Sequence, residues 1–185
     1  NNGGLGLSMA SCTFENPCGP TDFSQTGVNT LNSLLPNTLM FFNGGTYNAL
    51  DATGSNPITL NSGQGVNART ADYSQAATGS GRSVFNGAFI LNTNNTLANI
   101  ILLPTAASAS GTGVTDNNGT NDFIRGSQIG NINNLYNVGV VISTNQLTIT
   151  NSVIFGNNRG IRADNGSVLF IQGSQINTVS PSGGT

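Results

Sequence analysis

Few side chains in this sequence could do acid, base or nucleophilic chemistry. The carboxyl groups are Glu15, Asp22, Asp51, Asp72, Asp116, Asp122 and Asp164; the cations are five Arg, and Lys, His and Trp are absent. Glycoside hydrolysis needs two carboxyl groups flanking the scissile bond, about 5 to 9.5 Å apart. Elimination needs a base helped by a cation or metal. Asp116 and Asp164 form the best-placed pair, since each follows a Gly (Gly113, Gly160) by three or four residues and precedes an Asn. The ordinary alternative makes both of them Asx-turn residues that hold a corner. Arg125 and Arg162 could neutralise an acidic substrate, or simply be solvated on outward strand positions.

Cys12 and Cys18 flank Thr-Phe-Glu-Asn-Pro. A local disulfide formed in an oxidising compartment is expected, with two free thiols as the alternative. Zinc would need two further ligands in a chain without His or a third Cys, and a nucleophilic Cys lacks its His partner. Single Asp residues on distant segments make a poor calcium cage, so no metal or cofactor is expected. Val66 to Arg82 is the longest stretch without a repeat signal and carries Arg69, Asp72 and Tyr73, both charge signs beside an aromatic ring. Long loops are commonly functional, and these three are the expected binding residues. The alternative is a solvated insertion with Tyr73 packed back on its support. Pro104 to Thr112 reads as a connector. Asn94, Asn118 and Asn165 stand in glycosylation frames, which arise by chance in a chain this rich in Asn and Thr.

What must position these residues is a repeat. Phe123-Ile124-Arg125-Gly126-Ser127-Gln128-Ile129 recurs as Phe170-Ile171-Gln172-Gly173-Ser174-Gln175-Ile176, with Thr148 to Ile154 between them and Thr96 to Leu102 upstream in the same frame. Leu97, Ile124, Ile149 and Ile171 thus mark one coil each. Gly113-Val114-Thr115-Asp116, Gly139-Val140-Val141-Ile142 and Gly160-Ile161-Arg162-Ala163 give a second strand per coil. Strands this short are not stable alone; stacked about 4.8 Å apart, they bury a continuous apolar column and pair every backbone group with the coil above and below. Asn99, Gly126, Asn151 and Gly173 share one corner position, and all tolerate left-handed backbone. The pattern predicts an all-β chain folded as a right-handed parallel β-helix. A β-sandwich with the same turn residues is the alternative.

Composition sets the outer limits. Only 6% of the 185 residues are charged and Asn outnumbers even the 25 Gly, a strand-and-turn composition. A net charge of -2 offers no basic stripe for phosphate, which argues against nucleic acid as a partner. No apolar run approaches the length of a spanning helix. The chain reads as a mature or excised piece of something longer. Residues 1–48 are expected to form an N-terminal cap and first strand, and 49–185 the coils. Val28, Leu31, Leu34 and Leu35 fall near one helical face, in a short capping helix that Pro36 would stop.

Phe14-Glu15-Asn16-Pro17, the capping helix, Gly45-Thr46-Tyr47, Ile58-Thr59-Leu60-Asn61-Ser62-Gly63-Gln64 and Asn94 to Leu102, in that order, resemble the N-terminal part of β-helical passenger domains in bacterial inverse-autotransporter-like surface proteins, within the wider pectate-lyase-like superfamily. The resemblance spans roughly residues 12 to 103. It implies an extracellular, non-catalytic module displayed on a bacterial surface. Such a module would be tethered through a membrane barrel absent from this chain and would contact a protein or glycan of a host or neighbouring cell. A polysaccharide-active enzyme and a bare structural stalk remain alternatives on the same fold.

Overall fold

In the computed structural model, the described residues are 33–49, 57–68, 81–105, 110–117, 119–143 and 146–179. Among them are sixteen strands, numbered in chain order. β1 (Leu39–Phe42), β2 (Gly45–Ala49) and β3 (Ile58–Thr59) make one turn of a coil, and β4 (Gly65–Ala68), β5 (Ser83–Gly87) and β6 (Phe89–Leu91) make the next. The third holds β7 (Thr96–Ala98), β8 (Ile101–Leu103) and β9 (Thr112–Asp116); the fourth holds β10 (Asp122–Arg125), β11 (Gln128–Ile129) and β12 (Tyr136–Ile142). β13 (Gln146–Thr150) and the long β14 (Val153–Ala163) complete a fifth, and β15 (Val168–Gln172) and β16 (Gln175–Thr178) begin another. The result is a parallel β-solenoid of about five turns.

One sheet runs β1-β4-β7-β10-β13-β15, and the other strands form a second sheet whose two faces are joined where β14 passes from one to the other. Every pairing between these strands is parallel, which excludes the antiparallel sandwich. The register follows the repeat: Leu97 pairs with Ile124, Ile124 with Ile149 and Ile149 with Ile171. Likewise Val114 pairs with Val140 and Val140 with Ile161. Inward residues of successive coils therefore stack directly on one another, and Leu97, Ile124, Ile149, Val114 and Val140 are all fully buried.

The corners explain why the chain can turn so tightly. Asn99, Gly126, Asn151 and Gly173 all have positive φ, between 49° and 61°, which Asn and Gly reach with little strain. The following residue makes a serine ladder: Ser127 N–H donates to Ser152 Oγ at 3.1 Å and Ser152 N–H to Ser174 Oγ at 3.0 Å. Each buried corner amide thus finds an acceptor one coil on, which the backbone alone would not supply. A second left-handed column, Asn37, Gly63, Asn94 and Asn121, marks the entrance to the first sheet.

Packing differs along the column. Phe42, Tyr47, Phe85 and Phe89 fill the first turns with rings 5.0 to 5.5 Å apart, whereas the later turns are filled mainly by Ile, Val and Leu, with Tyr136 as their one buried ring among the described residues. One expectation needs correction, and another is only partly described. Residues 65–68 are a buried strand of the column and not the start of the long interruption, because Val66 stacks on Leu97 in register. The expected capping helix lies outside the described residues except at its end, where Ser33 is helical and residues 34–36 are not.

Candidate functional site

The chemistry-bearing groups converge at one corner, between β9 and β10. Strand alternation points Val114 and Asp116 of β9 to the same side, and Asp122 and Ile124 of β10 likewise. Both carboxyl groups therefore point inward from the two ends of the short connection 117–121, and both residues are fully buried. Gly119 closes the connection. A Cβ there would overlap the Asn92 carbonyl oxygen and Asp122 Oδ2, so only Gly lets the backbone pass that close.

Asp122 ends a polar stack. One turn before it, Asn95 N–H donates to Asp122 Oδ1 at 2.6 Å. Asn95 Oδ1 accepts from Asn92 N–H at 2.6 Å, and its Nδ2 donates to the carbonyls of Asn61 at 2.7 Å and Gln64 at 3.1 Å. Gln64 repeats the arrangement one turn earlier: its Oε1 accepts from Asn61 N–H at 2.8 Å, and its Nε2 donates to Leu34 O at 2.9 Å. Each amide thus braces its own corner and reaches back to the previous one. Among the described residues no N–H group reaches Asp122 Oδ2. Burial away from water, opposed by the Asn95 amide but reinforced by the Asp116 charge and a hydrogen bond between the two carboxyl groups, pushes Asp122 up to about 7. Two buried carboxylates side by side do not both ionise readily, so the corner holds a proton that is released near neutral pH.

The sequence pair Asp116 and Asp164 is not brought together. Asp116 pairs with Ile142, and Ile142 with Ala163, which puts Asp164 one residue out of phase and on the outside. There it forms an ion pair with Arg162 at 3.3 Å and accepts from Ser143 Oγ at 3.2 Å. Asp122, not Asp164, is the neighbour of Asp116. The repeat frame carried the signal, because Asp122 stands two residues before the core position Ile124 and is therefore inward.

Arg69, Asp72 and Tyr73 lie outside the described residues, as do Cys12, Cys18, Glu15, Asp22, Asp51 and Asn118. What is visible is the base of that insertion: β4 ends at Ala68 and β5 begins at Ser83, at the corner where later coils turn through Asn99-Ile100, Gly126-Ser127 and Asn151-Ser152. Ser83 Oγ anchors the returning chain by donating to Asn43 O at 2.6 Å. Asn94 and Asn165 are exposed turn residues, and Arg125 points outward from β10. Among the described residues no three His, Cys, Asp or Glu side chains come together to hold a metal. Compared with protein-family models, with curated proteins and with solved structures, the chain matches none.

Proposed function

We propose that this chain is a non-catalytic extracellular module: a rigid column that holds an insertion, residues 69–80, for contact with a protein or glycan on a host or neighbouring cell. The observation that carries this reading is the contrast at a single corner. Later coils turn there within two residues, while between β4 and β5 the column admits a long insertion without losing register, since Val66 still stacks on Leu97 and Phe85 on Leu102. A scaffold that tolerates this keeps its shape whatever the insertion carries. The same reading favours Arg69, Asp72 and Tyr73 as contact residues, and display on a bacterial surface follows from the sequence resemblance.

The acids described in the coils support the same reading over a polysaccharide-cleaving one. Asp116 and Asp122 are sealed from solvent, and Asp164 is engaged by Arg162. None of these three offers a free carboxylate to a bound sugar. The test replaces residues 69–80 by Gly-Ser, which shortens the corner between β4 and β5 to four residues. The variant is expected to keep the β-rich circular dichroism spectrum and unfolding midpoint of the parent while losing attachment to cells. Unchanged attachment would count against the insertion as the contact surface, and polysaccharide cleavage by the parent, lost in Asp116→Asn, would replace this reading with the enzymatic one.

A further inference from the structure

The outward face of the first sheet changes character along its length. One outward column runs Gly65, Thr96, Phe123, Thr148, Phe170 by register. Its two phenylalanines are exposed, Phe123 by 41% and Phe170 by 53%. The neighbouring outward column runs Asn67, Ala98, Arg125, Thr150, Gln172. Asn67 and Ala98 are buried, whereas Arg125 and Gln172 are exposed. Leu39 of β1, which pairs with Gly65, is exposed at the other end of the column, but among the described residues aromatic rings are exposed on this face only over β10, β13 and β15, two strands apart, with hydroxyls between them and a cation and an amide alongside. Arg125 makes no ion pair among the described residues, and no carboxylate stands on either column.

We infer that this face binds an acidic polysaccharide chain lying along the column axis. The inference rests on the reading of the chain as a binding module but uses a surface separate from the insertion. Strands stack about 4.8 Å apart, so the Phe rings stand about 10 Å apart along the axis, a separation comparable to two pyranose rings end to end. Alternate sugars can each lay a C–H face on a ring, as apolar faces do on aromatic side chains. Thr148, Thr150 and Gln172 supply hydrogen-bonding groups at the flank. Arg125 calls for an anion, and its planar fork matches a uronic carboxylate. Area argues for a narrow ligand over a protein: three strands of four or five residues present on the order of 200 Å², against about 800 Å² per partner in a stable protein interface.

The test is calorimetric titration of the whole chain with a hyaluronan hexasaccharide, an alginate hexasaccharide and neutral cellohexaose. At least one acidic oligosaccharide is expected to bind, and cellohexaose is expected to bind at least about tenfold more weakly. Phe123→Ala with Phe170→Ala should weaken acidic binding by about tenfold or more, and Arg125→Gln should abolish the preference for the acidic chain. All three positions point outward, so unchanged unfolding midpoints would confirm that the variants remain folded. The Gly-Ser replacement of residues 69–80 should leave these titrations unaltered, which separates this face from the insertion. The proposal is overturned if neither acidic oligosaccharide binds, if both classes bind equally, or if the aromatic double variant binds as the parent does. It is equally overturned if that double variant loses attachment to cells stripped of acidic glycans, since the face would then recognise a protein.

Discussion

The inward position that opens the first sheet is occupied by Gln64, Asn95 and Asp122 in three successive turns and by Leu147 and Leu169 in the next two. One register position thus holds a polar stack in the first half of the column and an apolar stack in the second. In the first half the polar side chains accept from corner amides such as Asn61 and Asn92 and donate to carbonyls one turn back. At Asp122 the stack meets the Leu147 turn, and an acid stands at the junction. Strand alternation therefore settles that a residue faces inward, while the hydrogen-bonding needs of the adjoining corner settle whether it is polar. The halves differ in filling as well: interlocked aromatic rings occupy the first, and mainly aliphatic side chains the second.

The severest way to break this comparison is to empty the aromatic half. Phe85 touches Phe42, Tyr47 and Phe89 through ring contacts, so Phe85→Ala should cost about 3–5 kcal/mol. Leu169→Ala, at a half-buried position of the same column, should cost clearly less because its site is already reached by solvent. Urea unfolding followed by circular dichroism measures both. Equal losses would mean that the column unfolds as one unit whose stability is indifferent to position, against the nearest-neighbour behaviour expected of a solenoid.

The register of this column was legible in the sequence because its code is local and repeated: Leu97, Ile124, Ile149 and Ile171 stack as their spacing required, and the left-handed corner falls on the Asn and Gly residues that tolerate it. The acid pair was not recognised, although the frame contained it. Asp116 was matched with Asp164 by distance from a Gly, whereas inward phase, two residues from Val114 and two from Ile124, selects Asp116 and Asp122. The strand at Val66 was hidden for another reason. It has only four residues and opens onto the insertion, so neither alternation nor a following corner motif marks it. The chemistry of the outer face was missed because exposure of Phe123 and Phe170 is a property of the stack and not of either heptapeptide.

The junction between the halves can be sharpened through its acid. A carboxyl group at about pH 3.8 when unfolded and about 7 when folded binds more protons in the native state. Its stabilising contribution is complete below pH 4, declines as pH rises from about 4 to about 7, and is gone above that. Asp122→Asn keeps the acceptor for Asn95 N–H, supplies a donor toward Asp116 and removes the titration. It should match the parent near pH 4 and exceed it at pH 8 by on the order of 4 kcal/mol. Unfolding free energies across pH 4 to 8 are the measurement. A parent profile that rises with pH in this window, or an Asn variant that retains the slope, would place the proton elsewhere.

The smallest expected effect concerns the corner column that both halves share, where Asn and Gly alternate instead of repeating. A Cβ added at Gly126 would meet Asn99 Oδ1 at 2.5 Å, and one added at Gly173 would meet Asn151 Oδ1 at 2.5 Å. The Asn side chain of one turn thus occupies the space that only a Gly leaves in the next, so the two residue types depend on each other. Gly126→Ala carries the left-handed strain of about 1–2 kcal/mol plus this overlap. In an Asn99→Gly background only the strain remains. The cycle should therefore show a coupling of about 1 kcal/mol between positions 99 and 126, readable from thermal or urea midpoints of the four proteins. The same cycle at positions 151 and 173 should give a smaller value, because Asn151, unlike the partly buried Asn99, is exposed and can move into solvent. Zero coupling at both pairs would reduce the alternation to two independent preferences for left-handed backbone.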